Sequence, residues 1–360
     1  MRIAAIRGDG IGPEVIEQAV RVLRTTAEIH SIDCRVDEYP YGADHYLSTG
    51  VTMPAEHFEQ WPKEYTAVLF GAVGDRRVPD NAHAKDIILG MRTRMNLFAN
   101  CRPVELVHAD LCPLKGVKES DIQFTVFREN TEDCYIHSGG VMRMGTADEV
   151  AIENAVHTRV GVERIVRAAF EYAAARGCSS VVMSDKSNVM QNAGDLWQRV
   201  FREVAAEYPA LSPRHLLIDA LHAEVLRDPA QFEVIVTSNM FGDILTDMCA
   251  QLQGGMGMAA SVSYGAHTTG FTGLYEPVHG SAPDIAGRCI ANPLGAILCV
   301  ALMLERHGHT RAASSVFSAV RQSVTDGVRT RDLGGESSTH EVGSAVIDAI
   351  TTITRTEGGG

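Results

Sequence analysis

The chain has 360 residues, 45% of them hydrophobic and 21% charged, enough for two domains or one large α/β unit around a substantial core. Its net charge of −13 removes the phosphate-backbone attraction that non-specific nucleic-acid binding needs, and no apolar run nears the roughly 20 residues of a membrane span. MRIAAIRGDGIG at the N-terminus places Arg7 and Asp9 where a signal peptide needs a continuous apolar stretch, and the eight cysteines are scattered without a CxxC, so they read as reduced thiols of a cytoplasmic protein.

RIAAIR (2–7) predicts a strand, then a glycine turn and, from Pro13, a helix in PEVIEQAVRVLRTTAEI with apolar residues at helical spacing. AVLFGAVG (67–74) is a continuous apolar strand of the buried parallel kind, and DIILGMRTRM (86–95) reads as helix. This βαβ rhythm predicts an α/β sheet. From about residue 102 the texture changes. DIQFTVFREN (121–130) is a strand ending in charge, and residues 137–150 are glycine-rich and read as an extended arm. VGVERIVRAAFEYAAARG (160–177) is an amphipathic helix closed by Gly177. Strand SSVVMS, helix GDLWQRVFREVAAEYP, strand HLLID and strand FEVIVTS follow. Glycine-rich chain from 255 then leads to a helix at LGAILCVALMLERHG (294–308), and a fraying GGG tail closes the sequence.

TSNMFGDILTDM (237–248) runs from a strand into a helix, with Asn239 as its cap. Asp243 and Asp247 lie one turn apart on a mostly apolar segment. A third acid, Asp219, ends the strand HLLID. Three acids at strand ends are either a site for a hard divalent cation or solvated surface charges, and on physical grounds the two readings weigh evenly. Arg92, Arg102 and Arg128 are surface charges or, if they converge, a clamp for a multi-carboxylate ligand; Arg128 ends an apolar strand, where α/β proteins place ligands. Tyr135 and Lys186 become acid or base candidates if they share the pocket of the cation. GLYEPVHGSAPDIAG (273–287) is a long irregular loop whose backbone can wrap a nucleotide, with Asp284 as an acceptor for ribose hydroxyls. GxxxxGK[ST] is absent. GDGIG (8–12) is not GxGxxG, and GMGMAA (255–260) follows no evident strand.

Taken together, GDGIGPEV, RENTED with its following Tyr, DKSN, SNMFGDILTD and EPVHGSAPDIAG with ANP resemble the β-decarboxylating dehydrogenases, in the right order from residue 2 to about 310. The family comprises isopropylmalate, isocitrate, homoisocitrate, tartrate and D-malate dehydrogenases. The resemblance implies a two-domain α/β fold that is not a Rossmann fold. Residues 1–101 and 255–360 would form the first domain, on the cofactor side, and 102–254 the second, with the metal site, the dimer interface and an arm near 137–150. It implies a homodimer with active sites shared across subunits, Lys186 and Asp219 coming from the partner chain. Arg92, Arg102 and Arg128 match the residues that hold the malate carboxylates. Asp243, Asp247 and the other subunit's Asp219 match the Mg²⁺ or Mn²⁺ ligands, Lys186 the group that removes the hydroxyl proton, and Tyr135 the acid that protonates the enol. Glu276, His279, Gly280, Ser281, Ala282, Asp284 and Asn292 match cofactor contacts, with Asp284 favouring NAD over NADP.

The chain departs from the family at several points. Arg7 stands where proline commonly precedes GDGIG, Ala220 follows Asp219, and RENTED is closer to the isocitrate and tartrate members. Residues 83–92 (HAKDIILGMR) match the segment that reads the variable group of the substrate. The Ser and Asn of isocitrate enzymes are missing from it, which counts against isocitrate. Ile88, Leu89 and the cross-subunit Val189 are either core or an alkyl pocket, whereas Lys85 facing the pocket would select an anionic group. An alkylmalate such as isopropylmalate, tartrate or D-malate, and an acidic analogue such as a phosphonomethylmalate all fit. Other classes are a non-catalytic regulatory subunit, which retention of Tyr135, Lys186 and all three aspartates disfavours, and a metal-dependent binding or phosphotransfer protein, which the missing P-loop disfavours.

Overall fold

A computed structural model of the chain describes residues 1–266 and 269–357, so the GGG tail lies outside the described residues. Strands in chain order are β1 (Arg2–Gly8), β2 (Arg35–Tyr39), β3 (Ala67–Ala72), β4 (Ala99–Glu105), β5 (Gln123–Glu129), β6 (Asp133–Met142), β7 (Val150–Val156), β8 (Ser180–Asp185), β9 (Ser212–Leu217), β10 (Val234–Thr237), β11 (Ala260–Tyr264) and β12 (Leu274–Pro277). The chain divides into two units. One holds Met1–Leu97, Pro103–Ile122 and the chain from Ala250 onward; the other holds Phe98–Arg102 and Gln123–Cys249.

In the first unit the strand order is β2-β1-β3-β12-β11, parallel except for the β11–β12 pair. Strand β3 is buried at every residue, as its unbroken apolar run requires. Helix Gly12–Ile29, with proline in its first turn, packs against helices Leu294–Arg306 and Thr339–Glu357, which is how both chain ends come to one unit. The expected boundary at 101/102 is displaced. Pro103–Ile122 stays with the chain ends because Glu105 N donates to Gln253 Oε1 at 3.1 Å, Arg321 pairs with Glu105 at 3.5 Å, and Leu111 packs on Gly254.

The expected helix at 86–95 is irregular. A π-helical turn, Lys85–Leu89, precedes the short helix Gly90–Arg94, and the turn buries Ile87 fully while Ile88 and Leu89 stay half-buried.

In the second unit the order is β5-β10-β8-β9, all parallel, with helices Arg159–Arg176, Gln191–Ala205 and Ile218–Arg227. Gly177 closes the first of these in the left-handed conformation, as its sequence predicts. The glycine-rich segment at 137–150 belongs to an antiparallel hairpin, β6–β7, whose apolar residues include exposed Ile136, Val141, Met142, Val150, Ile152 and Val156. Such a hairpin cannot be stable by burial of its own side chains.

Candidate active site

Helix Asn239–Leu252 begins two residues after β10. Asn239 does not cap it. Its side-chain oxygen accepts from Arg128 Nε at 2.9 Å and its amide donates to Glu132 O at 3.1 Å. The capping acceptor is Asp133, buried and in the left-handed region (φ 70), whose Oδ2 takes the Met240 N–H at 3.1 Å. Asp133 and the Glu132 carbonyl of RENTED therefore hold the turn at which the helix of SNMFGDILTD starts.

Asp243 and Asp247 share a face, and Arg102 spans them: Nη2 donates to Asp243 Oδ1 at 3.2 Å, while Nη1 lies 3.8 Å from Asp247 Oδ1. Arg128 Nη1 reaches the same Asp243 oxygen at 2.5 Å, and the Tyr135 hydroxyl donates to Asp243 Oδ2 at 2.7 Å. The Arg128 guanidinium also lies over the Tyr135 ring, 5.0 Å from its centroid. Both arginines are buried and braced from behind, Arg102 by Asn100 and Thr246, Arg128 by Asn239. Gly242 makes the arrangement possible, because a Cβ there would lie 2.6 Å from Arg128 Cγ. Four residues expected in three roles thus meet at one carboxylate. Burial and the charge of Asp243 push the Asp247 carboxyl up, against the opposing pull of Arg102 and Arg128.

Asp219 does not end a strand. Strand β9 stops at Leu217, and Asp219 sits in the first turn of helix Ile218–Arg227, where its carboxylate accepts from Lys186 Nζ at 2.7 Å. That hydrogen bond holds the Asp219 carboxyl below its usual range. Lys186 follows buried Asp185, which accepts from Ser187 N (3.1 Å) and lies 2.8 Å from His215 Nε2, so the lysine stands on a fixed turn. Val189 ends that turn and is 69% exposed. Among the described residues no three His, Cys, Asp or Glu side chains form a metal-binding set. Asp243 and Asp247 fit a divalent cation as two hard oxygen donors, half-exposed, whose mutual repulsion such an ion would relieve.

In the first unit, Arg92 is buried and donates to Glu276 Oε1 at 2.7 Å, so two residues expected to bind different ligands pair with each other. Among the described residues Arg92 Nε is buried with no hydrogen-bond partner, leaving it a donor for an incoming anion. The loop after β12 is pinned to the glycine turn: Ile11 N donates to Ser281 O at 2.8 Å, and Gly10 (φ 59) is required there because a Cβ would lie 1.9 Å from that oxygen. Ala282 has positive φ, Gly280 and Asp284 are exposed, and His279 Nε2 is buried without a partner among the described residues, while burial pulls its imidazole pKa down. Asn292 is engaged at both ends, accepting from Leu294 N and donating to Asp332 Oδ2, so it braces helix Leu294–Arg306. Lys85 is exposed and makes no ion pair among the described residues, whereas its neighbour Asp86 is bonded to Thr52. Ile88 packs partly on the core.

Sequence reasoning missed Asp133, Asp185, Gly242 and the Asp9–His83 pair. Asp133, Asp185 and Gly242 sit inside motifs already singled out, one residue or two from a chosen side chain; His83 carries no sequence signal.

Comparison with known proteins gives a consistent result. The family model described as isocitrate/isopropylmalate dehydrogenase matches residues 2–346. A 3-isopropylmalate dehydrogenase of Thermobifida fusca is 41% identical over 97% of this chain and 98% of its own. A Bacillus subtilis protein assigned the name tartrate dehydrogenase/decarboxylase is 40% identical over 97% of both chains. The crystal structure of isocitrate dehydrogenase from Methylococcus capsulatus superposes with a TM-score of 0.87 at 32% identity, covering 97% of this chain and 99% of that one.

Proposed function

The chain belongs to the isocitrate/isopropylmalate dehydrogenase family, with that family's fold and not a Rossmann fold, and is a β-decarboxylating dehydrogenase of malate-type substrates; from that premise we propose that it acts on a malate with an anionic substituent at C3. The products would be a 2-oxo acid, CO₂ and NADH. The observation that carries this reading is Lys85: exposed, without an ion pair among the described residues, in the π-helical turn of the substrate-reading segment. A second reading, an alkyl substituent as in isopropylmalate, is favoured by half-buried Ile88 and Leu89 and by exposed Val189.

In this proposal Arg92, Arg102 and Arg128 bind the two malate carboxylates through charge-assisted hydrogen bonds. Arg102 and Arg128 already donate to a carboxylate, that of Asp243, and exchange it for the substrate's. Asp243 and Asp247, with the partner subunit's Asp219, would hold Mg²⁺ or Mn²⁺. When bound, the cation would supply Lewis-acid polarisation of the C2 oxygen, and NAD the acceptor for the C2 hydride. The partner's Lys186, releasing Asp219 and acting as the neutral amine, takes the C2 hydroxyl proton and becomes the ammonium. Tyr135 carries its proton toward Asp243 and delivers it to C3 once CO₂ has left. Exposed Asp284 is suited to the ribose hydroxyls and repels a 2′-phosphate, which favours NAD. The exposed apolar face of β6–β7 supports a homodimer.

The test is NADH formation by the chain alone, with Mg²⁺ or Mn²⁺, over a panel of 3-substituted malates. Preference for a carboxylate- or phosphonate-bearing malate that Lys85→Ala abolishes supports the proposal. Preference for isopropylmalate indifferent to Lys85 transfers it to the alkyl reading, and turnover of none revives a regulatory subunit.

A further inference from the structure

His83 opens the substrate-reading segment, and it is completely buried. Its Nε2 lies 2.8 Å from Asp9 Oδ2. Asp9 belongs to the glycine turn after β1 and is itself 7% exposed. The same oxygen accepts from Gly74 N at 2.8 Å, beyond the end of β3, and Oδ1 accepts from Ala43 N at 2.6 Å, where helix Ala43–Thr49 begins. Tyr46 of that helix stacks on the His83 ring, with centroids 6.1 Å apart and planes 17° apart. A single carboxylate therefore fixes the start of the segment to three other stretches of chain.

Further along, the segment is held at spaced points. Asp86 is bonded to Thr52, Ile87 is in the core, Gly90 abuts Phe58 so closely that a Cβ would lie 2.9 Å from its ring, and Arg92 is tied to Glu276. Lys85 is exposed, and Ile88 and Leu89, like Ala84 and Asp86, are half-buried. His83 and Asp86 are the anchors that flank Lys85, and the turn from Lys85 to Leu89 is π-helical, a geometry that persists only where neighbours impose it.

We infer that His83 is a positioning residue for substrate selection, setting through Asp9 the orientation of the turn that carries Lys85, Ile88 and Leu89. This rests on the reading that residues 83–92 face the C3 substituent. Substrate-reading groups lose discrimination when their supporting contacts slacken by an ångström or so.

The experiment measures kcat and KM of the whole enzyme for its preferred 3-substituted malate and for unsubstituted malate, in His83→Leu, His83→Gln and Asp9→Asn, with Lys85→Ala and Ile88→Ala alongside. His83→Leu is expected to raise KM for the preferred substrate about tenfold with kcat little changed, and to narrow the preference over malate by a similar factor. His83→Gln, whose terminal amide reaches the same acceptor, restores most of the preference. If His83→Leu does not fold, Asp9→Asn must narrow the preference in its place. Equal losses on both substrates, or an unchanged preference, overturn the inference and leave His83 as ordinary core. The two failures are distinguishable. If Lys85→Ala and Ile88→Ala shift preference while His83→Leu does not, only the positioning role falls; if none of the three shifts it, the reading of the segment falls as well.

Discussion

The Tyr135 hydroxyl donates to Asp243 Oδ2 at 2.7 Å, while the other oxygen of that carboxylate receives Arg102 and Arg128. The proposed proton donor, one proposed cation ligand and two proposed carboxylate-binding groups are thus interlocked in one chain before any ligand arrives. Tyr135→Phe removes the donor and leaves the arginines in place. Hydride transfer should continue at a comparable rate, and release of the protonated 2-oxo acid should slow by about 10²–10⁴-fold, the usual range for loss of a general acid. Single-turnover measurement of NADH against 2-oxo acid checks this; equal rates for both would remove Tyr135 from the acid role.

Gly242 is predicted to be intolerant of a methyl group. Its Cβ position is 2.6 Å from Arg128 Cγ and 2.7 Å from Cβ, the stiff base of that side chain rather than its tip. Gly242→Ala should destabilise the protein by about 1–3 kcal/mol, as overpacking commonly does, although alanine is the better helix former. It should also raise KM, because the displaced guanidinium is one of those proposed to bind the substrate carboxylates. Urea unfolding together with steady-state kinetics tests both halves, and an unchanged midpoint with unchanged KM would contradict the close packing.

These two predictions show where the sequence was readable. Five motifs in order carried the fold class and nearly every polar side chain that the structure places at Asp243. They did not carry the supporting contacts. Asn239 looked like a cap because amide side chains favour that position, but a buried guanidinium offered it a charge-assisted partner and the cap passed to Asp133, more than a hundred residues earlier. Asp219 looked like a strand end because an unbroken Leu-Leu-Ile run leads up to it, and apolar runs do not mark where a strand yields to a helix. His83 was invisible because burial of a histidine depends on the distant acceptor, Asp9, that meets it.

His279 gives a pH dependence of stability. Burial holds its imidazole below the usual histidine range, and its Nε2 is enclosed without a partner among the described residues. The unfolded chain takes up a proton as pH falls through about 6.5, while the folded chain does so only at lower pH. The contribution of His279 is therefore fully present above about pH 6.5 and declines as pH falls toward its folded value, by at most about 1.4 kcal/mol per pH unit. His57 and His307 are depressed in the same direction, so the wild type alone does not isolate the effect. His279→Gln should reduce the loss in Tm between pH 7.5 and 5.5; an identical loss would show that the ring does not titrate out of step with the unfolded chain.

Sharing of the active site between subunits can be tested without any structure of the dimer. The Lys186–Asp219 pair stands on β8 and helix Ile218–Arg227, whereas Tyr135, Arg128 and Asp243 form their own network, with no hydrogen bond or ion pair between the two groups among the described residues. If each active site takes the first group from one subunit and the second from the other, Lys186→Ala and Tyr135→Phe homodimers are both impaired. Unfolding and refolding them together yields about half mixed dimers. Each mixed dimer has one site carrying both lesions and one carrying neither, so roughly a quarter of wild-type activity returns. If both groups act from the same chain, every site in the mixture keeps one lesion and nothing returns. Ile152→Glu, on the exposed apolar face of the hairpin, supplies the companion measurement: light scattering should show a shift from dimer toward monomer, accompanied by loss of turnover.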